Sequence, residues 1–276
     1  MSDLLARMAA ESRRRVRDAR MRTSEAALLR RASTRPKAPA LDLGGAGFGI
    51  IAEIKFRSPS SGSLRREAPG DAVGRAIAYE RGGASAVSVV TEPSAFGGSL
   101  EALSEVADGC GLPAMRKDFI VDPYQVVEAK AHGAAGVLLI VRILDAALLR
   151  ELIASVVSLD LFALIEAFDR DDLDRGCDAL ARSGAIGLLG VNARDLATLS
   201  VDRSRHARLV RAVPERCRLV AESGIRTPDD AAEVAALGYR AALVGEALMA
   251  LDDPRSLLEE LVVSGRKAAA ARGVTR

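Results

Sequence analysis

The sequence predicts a closed parallel α/β barrel, a (βα)8 TIM barrel, with an N-terminal helical extension. Three observations carry this. The chain has 276 residues, close to the roughly 250 typical of such a barrel. Eight short apolar runs alternate with longer amphipathic stretches. The runs are apolar throughout rather than alternating with polar residues, which is how strands covered on both faces read. An open doubly wound sheet is the competing architecture, but its usual dinucleotide fingerprint, GxGxxG at a strand-to-helix turn, is missing. The expected organisation is an extension over 1–47, one barrel domain over 48–265 and a tail over 266–276.

In the extension, Leu4, Leu5, Met8 and Ala9 fall at helical spacing, Leu28 and Leu29 mark a second helical patch, and Pro36 and Pro39 end it. The first 20 residues hold several arginines, as an organelle-targeting segment would. Asp3, Glu11 and Asp18 are interspersed, however, so the segment reads as an ordinary amphipathic helix. The eight strands are expected at 50–56, 86–91, 113–117, 136–141, 161–167, 187–192, 218–223 and 241–246. The stretches between them include DPYQVVEAKAHG, DRDDLDRGCDALARSG and TPDDAAEVAALG, which start at Asp or Thr and stop at Gly.

Thirty-nine Lys and Arg face 37 Asp and Glu, a formal net charge of +2. Whole-chain charge therefore argues for neither nucleic acid nor a membrane surface. With 49% hydrophobic residues, 3% aromatic and no Trp, the core must be built from Ala, Val, Leu and Ile. No apolar run approaches the roughly 18 residues of a spanning helix, and a cytoplasmic chain is expected. Cys110, Cys177 and Cys217 show no metal or disulfide spacing and read as thiols. His132 and His206 are the only histidines, both in helical stretches away from strand ends. They are expected at the surface, and a Ser-His triad or His-rich metal site is excluded.

In this fold the chemistry sits at the C-terminal ends of the strands. Unexpected polar residues gather there: Glu53 and Lys55 on the first strand, Lys117 on the third, Glu166 on the fifth, Asn192 and Arg194 on the sixth, Glu222 and Ser223 on the seventh, Gly245 and Glu246 on the eighth. The opposite ends carry fewer charges. Glu53 and Lys55, two apart on a buried strand, share a face; they either neutralise each other or do chemistry. With no histidine available, acid–base work falls on Lys and Glu. Lys117 and Glu166 are the natural pair, a desolvated lysine serving as general acid near neutral pH and a buried carboxylate as base. Glycines in ESGI (222–225) and LVGEAL (243–248), with Ser58, Ser60 and Ser61 in the first loop, suit a phosphorylated small-molecule substrate.

The stretches IAEIKFRSPSSG, RKDFIVDPYQVVEAKAHGAAGVLLIV, VNARDLATLSVD, AESGIRTPDDAAEV and LVGEALMALDDP resemble the indole-3-glycerol phosphate synthases of tryptophan biosynthesis over about 48–260. RKDFIVDPYQ and NARDL are the specific pieces. The resemblance implies a carboxy-lyase that needs no metal and no organic cofactor. It would convert 1-(2-carboxyphenylamino)-1-deoxyribulose 5-phosphate to indole-3-glycerol phosphate, with loss of carbon dioxide and water. Lys117 would protonate the ketone oxygen, and Glu166 would steady the developing cation or act as base. Lys55 and Glu53 would act beside them, with acid and base work not divided among the four. Asn192 would hold the substrate hydroxyl, Arg194 the anthranilate carboxylate, and Glu222 and Ser223 would complete the ring of polar groups. Phe119 and Leu138 would pack the aromatic ring; Ser58, Gly224, Leu243, Gly245 and Glu246 would line the phosphate end. No nucleic acid, membrane or partner chain is implied beyond a monomer or weak homo-oligomer.

The chain departs from the family pattern at Ser61, in place of a loop lysine, at Ala95, where a second aromatic is common, and at Ala193, where many members have Asn. Glu246 would sit awkwardly against a phosphate unless it turned away. Phosphoribosylanthranilate isomerase and the tryptophan synthase α subunit would not combine RKDF, a strand-five Glu and NxR. A pathway duplicate serving specialised indole metabolism would keep every motif, whereas a non-catalytic sugar-phosphate-binding barrel would be expected to lose Lys117 or Glu166.

Overall fold

The computed structural model describes residues 3–43, 47–59, 62–63, 71–185, 187–211, 213 and 217–274. Ser60 and Ser61, two of the expected first-loop hydroxyls, lie outside the described residues. Eight parallel strands close on themselves: β1 Gly49–Ile54, β2 Ala86–Val90, β3 Ala114–Lys117, β4 Gly136–Ile140, β5 Phe162–Ala167, β6 Gly187–Asn192, β7 Arg218–Glu222 and β8 Ala241–Val244. Each pairs with its sequence neighbours, and β8 returns to β1 with Gly49 opposite Ala241. Each strand falls within two residues of its expected bounds.

Helices fill the connections: α1 Asp3–Arg22, α2 Glu25–Ser33, α3 Asp71–Arg81, α4 Pro93–Phe96, α5 Leu100–Gly109, α6 Pro123–Ala131, α7 Ala146–Ser158, α8 Arg170–Ser183, α9 Ser204–Val210, α10 Pro228–Leu237, α11 Glu246–Met249 and α12 Arg255–Val274. Their starts are fixed locally. Asp122 accepts from the Tyr124 N–H ahead of Pro123, and Thr227 with Asp230 forms a capping box, each satisfying donors the helix cannot. Such strong stops and starts make the βα alternation readable. α12 runs on to Val274, so the boundary expected at 265/266 falls inside a helix; no separate tail begins there.

The barrel interior and the strand–helix layer form one core in which Ile51, Val87, Val137, Leu164, Leu188 and Val220 are fully buried. The extension joins it through Leu5, Met8 and Ala9 of α1. A second cluster packs Val16, Leu28 and Ala32 of α1 and α2 against Tyr124, Val127 and Ala131 of α6. The extension is therefore seated on the barrel wall beside β3.

Two expectations about reactive side chains change. His206 is buried rather than exposed, packed edge-on against Tyr239 with ring centroids 5.5 Å apart. Its Nε2 lies 3.2 Å from the Glu222 carbonyl, and burial lowers its pKa; it props the end of β7 from behind. His132 is half-buried beside Ser104. The cysteines form no disulfide, though Cys177 and Cys217, 40 residues apart, bring their sulfurs to 3.5 Å.

Candidate active site

At the C-terminal mouth of the barrel a cavity of about 160 Å³ opens. Every expected site residue described by the structure borders it: Glu53, Lys55, Ser58, Lys117, Phe119, Leu138, Glu166, Asn192, Arg194, Glu222, Ser223, Gly224, Leu243, Gly245 and Glu246. Strand register explains the convergence, because side chains that follow inward-facing positions on adjacent parallel strands emerge at one level. Asn192 stands opposite Glu222, and Glu166 opposite Gly190.

The centre is one ammonium among three carboxylates. Lys117 Nζ lies 3.5 Å from Glu166, 3.7 Å from Glu222 and 3.9 Å from Glu53. Lys55 closes on Glu53 at 2.9 Å. Burial would depress the Lys117 pKa, but Glu166, Glu222 and Glu53 outweigh it and hold the ammonium well above its usual value. Opposite charges at this range override desolvation and keep the lysine in its acid form. Glu53 is the mirror case: burial pushes its pKa up, Lys55 and Lys117 pull it further down, and the carboxylate stays ionised. Glu53 and Lys55 pair with each other and also border the cavity.

Glu222 differs. Burial first, and then the Glu166 charge, raise its pKa well above the ordinary carboxylate value, with Lys117 only partly offsetting them. Neither of its oxygens has a hydrogen-bond partner among the described residues. A neutral Glu222 reduces the negative charge gathered around Lys117, which a low-dielectric site favours. Space for these carboxylates comes from two glycines. A Cβ at Gly190 would meet Glu222 Oε1 at 1.9 Å, and one at Gly245 would meet Glu53 Oε1 at 2.6 Å.

Asn192 organises the other side. Its Nδ2 donates to Glu166 Oε1 at 3.0 Å, and its Oδ1 accepts from the Arg194 N–H and the Ser223 hydroxyl, both at 2.8 Å. The network fixes the amide orientation. Ser223 meets it with a left-handed backbone, φ 68°, followed by Gly224 at φ 84°; such conformations are costly without glycine and concentrate at functional sites.

Arg194 turns to Glu246 at 2.9 Å and to the Leu199 carbonyl. Glu246 also lies 3.6 Å from Arg226 and 4.0 Å from Lys55. The awkward negative charge expected at the phosphate end is offset by these three cations. The wall opposite is apolar: Phe119 faces Phe96 with centroids 6.1 Å apart, so one aromatic partner is kept beside Ala95. Leu4 and Leu5 of α1 and Leu196 and Leu199 after β6 complete the enclosure. These four, Arg226, and the space-giving Gly190 were not anticipated. Arg226 directly follows the ESGI motif and was the one with a sequence signal.

A family model described as indole-3-glycerol phosphate synthase matches residues 5–261. The chain belongs to the indole-3-glycerol phosphate synthase family. Relatives bearing that name include one from Parafrankia sp. (strain EAN1pec), 49% identical over 78% of each chain. Another, from Beutenbergia cavernae, is 49% identical over 78% of this chain and 77% of its own, and one from Mycolicibacterium smegmatis is 45% identical over 79% and 78%. Among solved structures, 3-hexulose-6-phosphate synthase from Salmonella typhimurium superposes with a TM-score of 0.62 at 13% identity, covering 80% of this chain and 99% of the other. That likeness concerns the barrel fold alone. Among the described residues no helix is long and apolar enough to cross a membrane, and no group of three or more His, Cys, Asp or Glu could hold a metal ion. The indole-3-glycerol phosphate synthase family assignment makes this barrel a carboxy-lyase of tryptophan biosynthesis.

Proposed function

We propose that the Lys117 cluster performs the family's ring closure, decarboxylation and dehydration, with roles divided by the charge state of each group. The observation that carries this is the convergence of Glu53, Glu166 and Glu222 on one buried ammonium at 3.5–3.9 Å. Ring closure onto a ketone places negative charge on its oxygen, and Lys117, firmly protonated, is the donor that meets it. Once Lys117 has given its proton, neutral Glu222, at 3.7 Å, is placed to restore it. Glu166, oriented by Asn192, steadies the cation that develops on the substrate nitrogen and takes the proton released in dehydration. Asn192 and Ser223 hold the substrate hydroxyls. Glu53 orients Lys55 toward the substrate anions through their 2.9 Å contact.

Arg194 offers a planar fork to the anthranilate carboxylate, with Phe119 and Leu138 against the ring. Ser58, Gly224, Leu243, Gly245 and Glu246 form the phosphate end, where Arg226 adds charge. The substrate is a phosphorylated small molecule; neither nucleic acid nor a membrane takes part, and the enzyme works in the cytoplasm as a monomer or weak homo-oligomer.

The test is to mix purified protein with 1-(2-carboxyphenylamino)-1-deoxyribulose 5-phosphate and follow indole fluorescence. Turnover well above that of a Lys117→Ala control is expected; a signal no greater than the control sinks the assignment. Glu166→Gln should lower kcat far more than it changes KM, and an effect confined to KM would remove Glu166 from the chemistry.

A further inference from the structure

Asp118 directly follows Lys117, and its side chain is wholly excluded from solvent. It accepts from Arg116 Nη2 at 3.0 Å, the Thr91 hydroxyl at 2.8 Å and the Phe119 N–H at 2.8 Å. The Thr91 N–H in turn donates to the Lys117 carbonyl at 3.0 Å. Asp118 is thus the knot that fixes the backbone on both sides of Lys117. Two more strands of this knot come from outside the barrel. Arg15 of α1, 103 residues away, grips both Asp118 oxygens, Nη2 at 2.7 Å and Nη1 at 3.1 Å. Ser12, one turn earlier, donates to the Phe119 carbonyl at 2.5 Å and accepts from Gln125 at 3.0 Å.

Residues 5, 8, 12 and 15 lie along one helix stripe. The stripe that puts Leu5 over the cavity also carries Ser12 and Arg15 to the segment beside Lys117. The Arg15 pair is poorly suited to supply stability. Asp118 is already neutralised by Arg116, and the Arg15 Nε is buried without a hydrogen-bond partner among the described residues. Buried ion pairs return little net stability, and an unmade buried hydrogen bond costs some of that. What a bidentate fork supplies is orientation. Lys117 meets its three carboxylates at 3.5–3.9 Å, where a displacement of about 1 Å is worth roughly 10²-fold in rate.

We propose that Arg15, assisted by Ser12, is a positioning residue for the reaction: α1 sets the register of the Lys117–Phe119 segment through Asp118 and the Phe119 carbonyl. This rests on Lys117 being the proton donor. The experiment compares Arg15→Met, which keeps the stem and removes the fork, with Arg15→Lys, each in the native background and in Lys117→Met. Arg15→Met is expected to lower kcat by about 10- to 100-fold, with KM changed much less and Arg15→Lys recovering only part. In Lys117→Met the same change should alter the residual rate by less than about twofold, because a positioning residue has nothing left to position.

A native kcat in folded Arg15→Met, or an equal loss in both backgrounds, overturns the proposal. If Arg15→Met does not fold, Ser12→Ala decides: kcat about three- to tenfold lower at an unchanged melting temperature supports the proposal, and native kcat overturns it. Native turnover in Lys117→Met would remove the proton-donor reading and the proposal together. An inactive Lys117→Met beside a fully active Arg15→Met removes the proposal alone.

Discussion

Arg116 and Lys117 are neighbours on β3 that point to opposite sides of the strand, and each sits in a cluster of buried charge. Arg116 uses all three guanidinium nitrogens at ordinary hydrogen-bond lengths: to Asp118 at 3.0 Å, to Glu128 and the Gln125 carbonyl at 2.9 Å, and to Thr91 at 3.2 Å. Lys117 reaches its carboxylates only at 3.5–3.9 Å. Glu222 Oε1 and Oε2 and Glu53 Oε2 have no hydrogen-bond partner among the described residues. Charge count does not separate the two clusters; satisfaction does. The outer one satisfies every guanidinium nitrogen of Arg116 and holds the β3 backbone in place, while the inner one holds polar atoms that a substrate can complete.

The sharpest way to break that comparison is to remove one cation from each. Lys117→Met is expected to cost about 10³-fold in kcat, or roughly 4 kcal/mol of barrier, with a smaller fall in urea midpoint than Arg116→Met, since its carboxylates lie at 3.5–3.9 Å. Arg116→Met should do the reverse in kind. Asp118 and Glu128 lose a buried partner, which costs about 3–5 kcal/mol of stability, read as a large fall in urea midpoint. Equal stability losses for the two variants would erase the distinction.

The same distinction marks what could be read from sequence. Strand bounds were legible because each strand is a short apolar run between helices capped by Asp, Thr and Gly, and all eight obey one repeat. Residues at strand ends were legible because inward-facing polar groups interrupt those runs. What could not be read depends on partners distant in the chain. The Lys117 pKa direction is set by carboxylates on three other strands, and the Glu246 environment by Arg194, Arg226 and Lys55. His206 carries no local mark of its burial, since its cover comes from Tyr239 and the end of β7. Ser12 and Arg15 sit in a helix whose amphipathic pattern was visible, but nothing in that pattern says which face meets Asp118.

A smaller effect sharpens the inner cluster by pH. Glu222 is neutral in the folded chain over a range where the unfolded chain would ionise it, because burial raises its pKa above 4.5. For a group raised on folding, the stabilisation is complete below the unfolded value and is lost as pH rises through the folded one. Glu222→Gln keeps the neutral form permanently. Its stability relative to the native chain should therefore grow as pH is raised from about 5 to about 8, by at most about 1.4 kcal/mol per pH unit. Urea midpoints of both proteins across that range check this, and parallel curves would show that Glu222 is ionised in the free site.

The smallest effect tests whether the strain at the mouth belongs to function. Ser223 is held at φ 68°, a conformation that costs a side chain about 1–2 kcal/mol. Its hydroxyl is one of two groups donating to Asn192 Oδ1, worth about 1 kcal/mol. Ser223→Gly relieves the first and loses the second, so its stability should stay within about 1 kcal/mol of native. Ser223→Ala loses the bond and keeps the strain, and should be the less stable of the pair in the same denaturation series. Both leave Asn192 held on that side by the Arg194 N–H alone, so both should lower kcat by a similar factor, about tenfold. An alanine variant as stable as the glycine variant would mean that the left-handed backbone carries no strain. A glycine variant with native kcat would mean that the strain is held for something other than the hydroxyl.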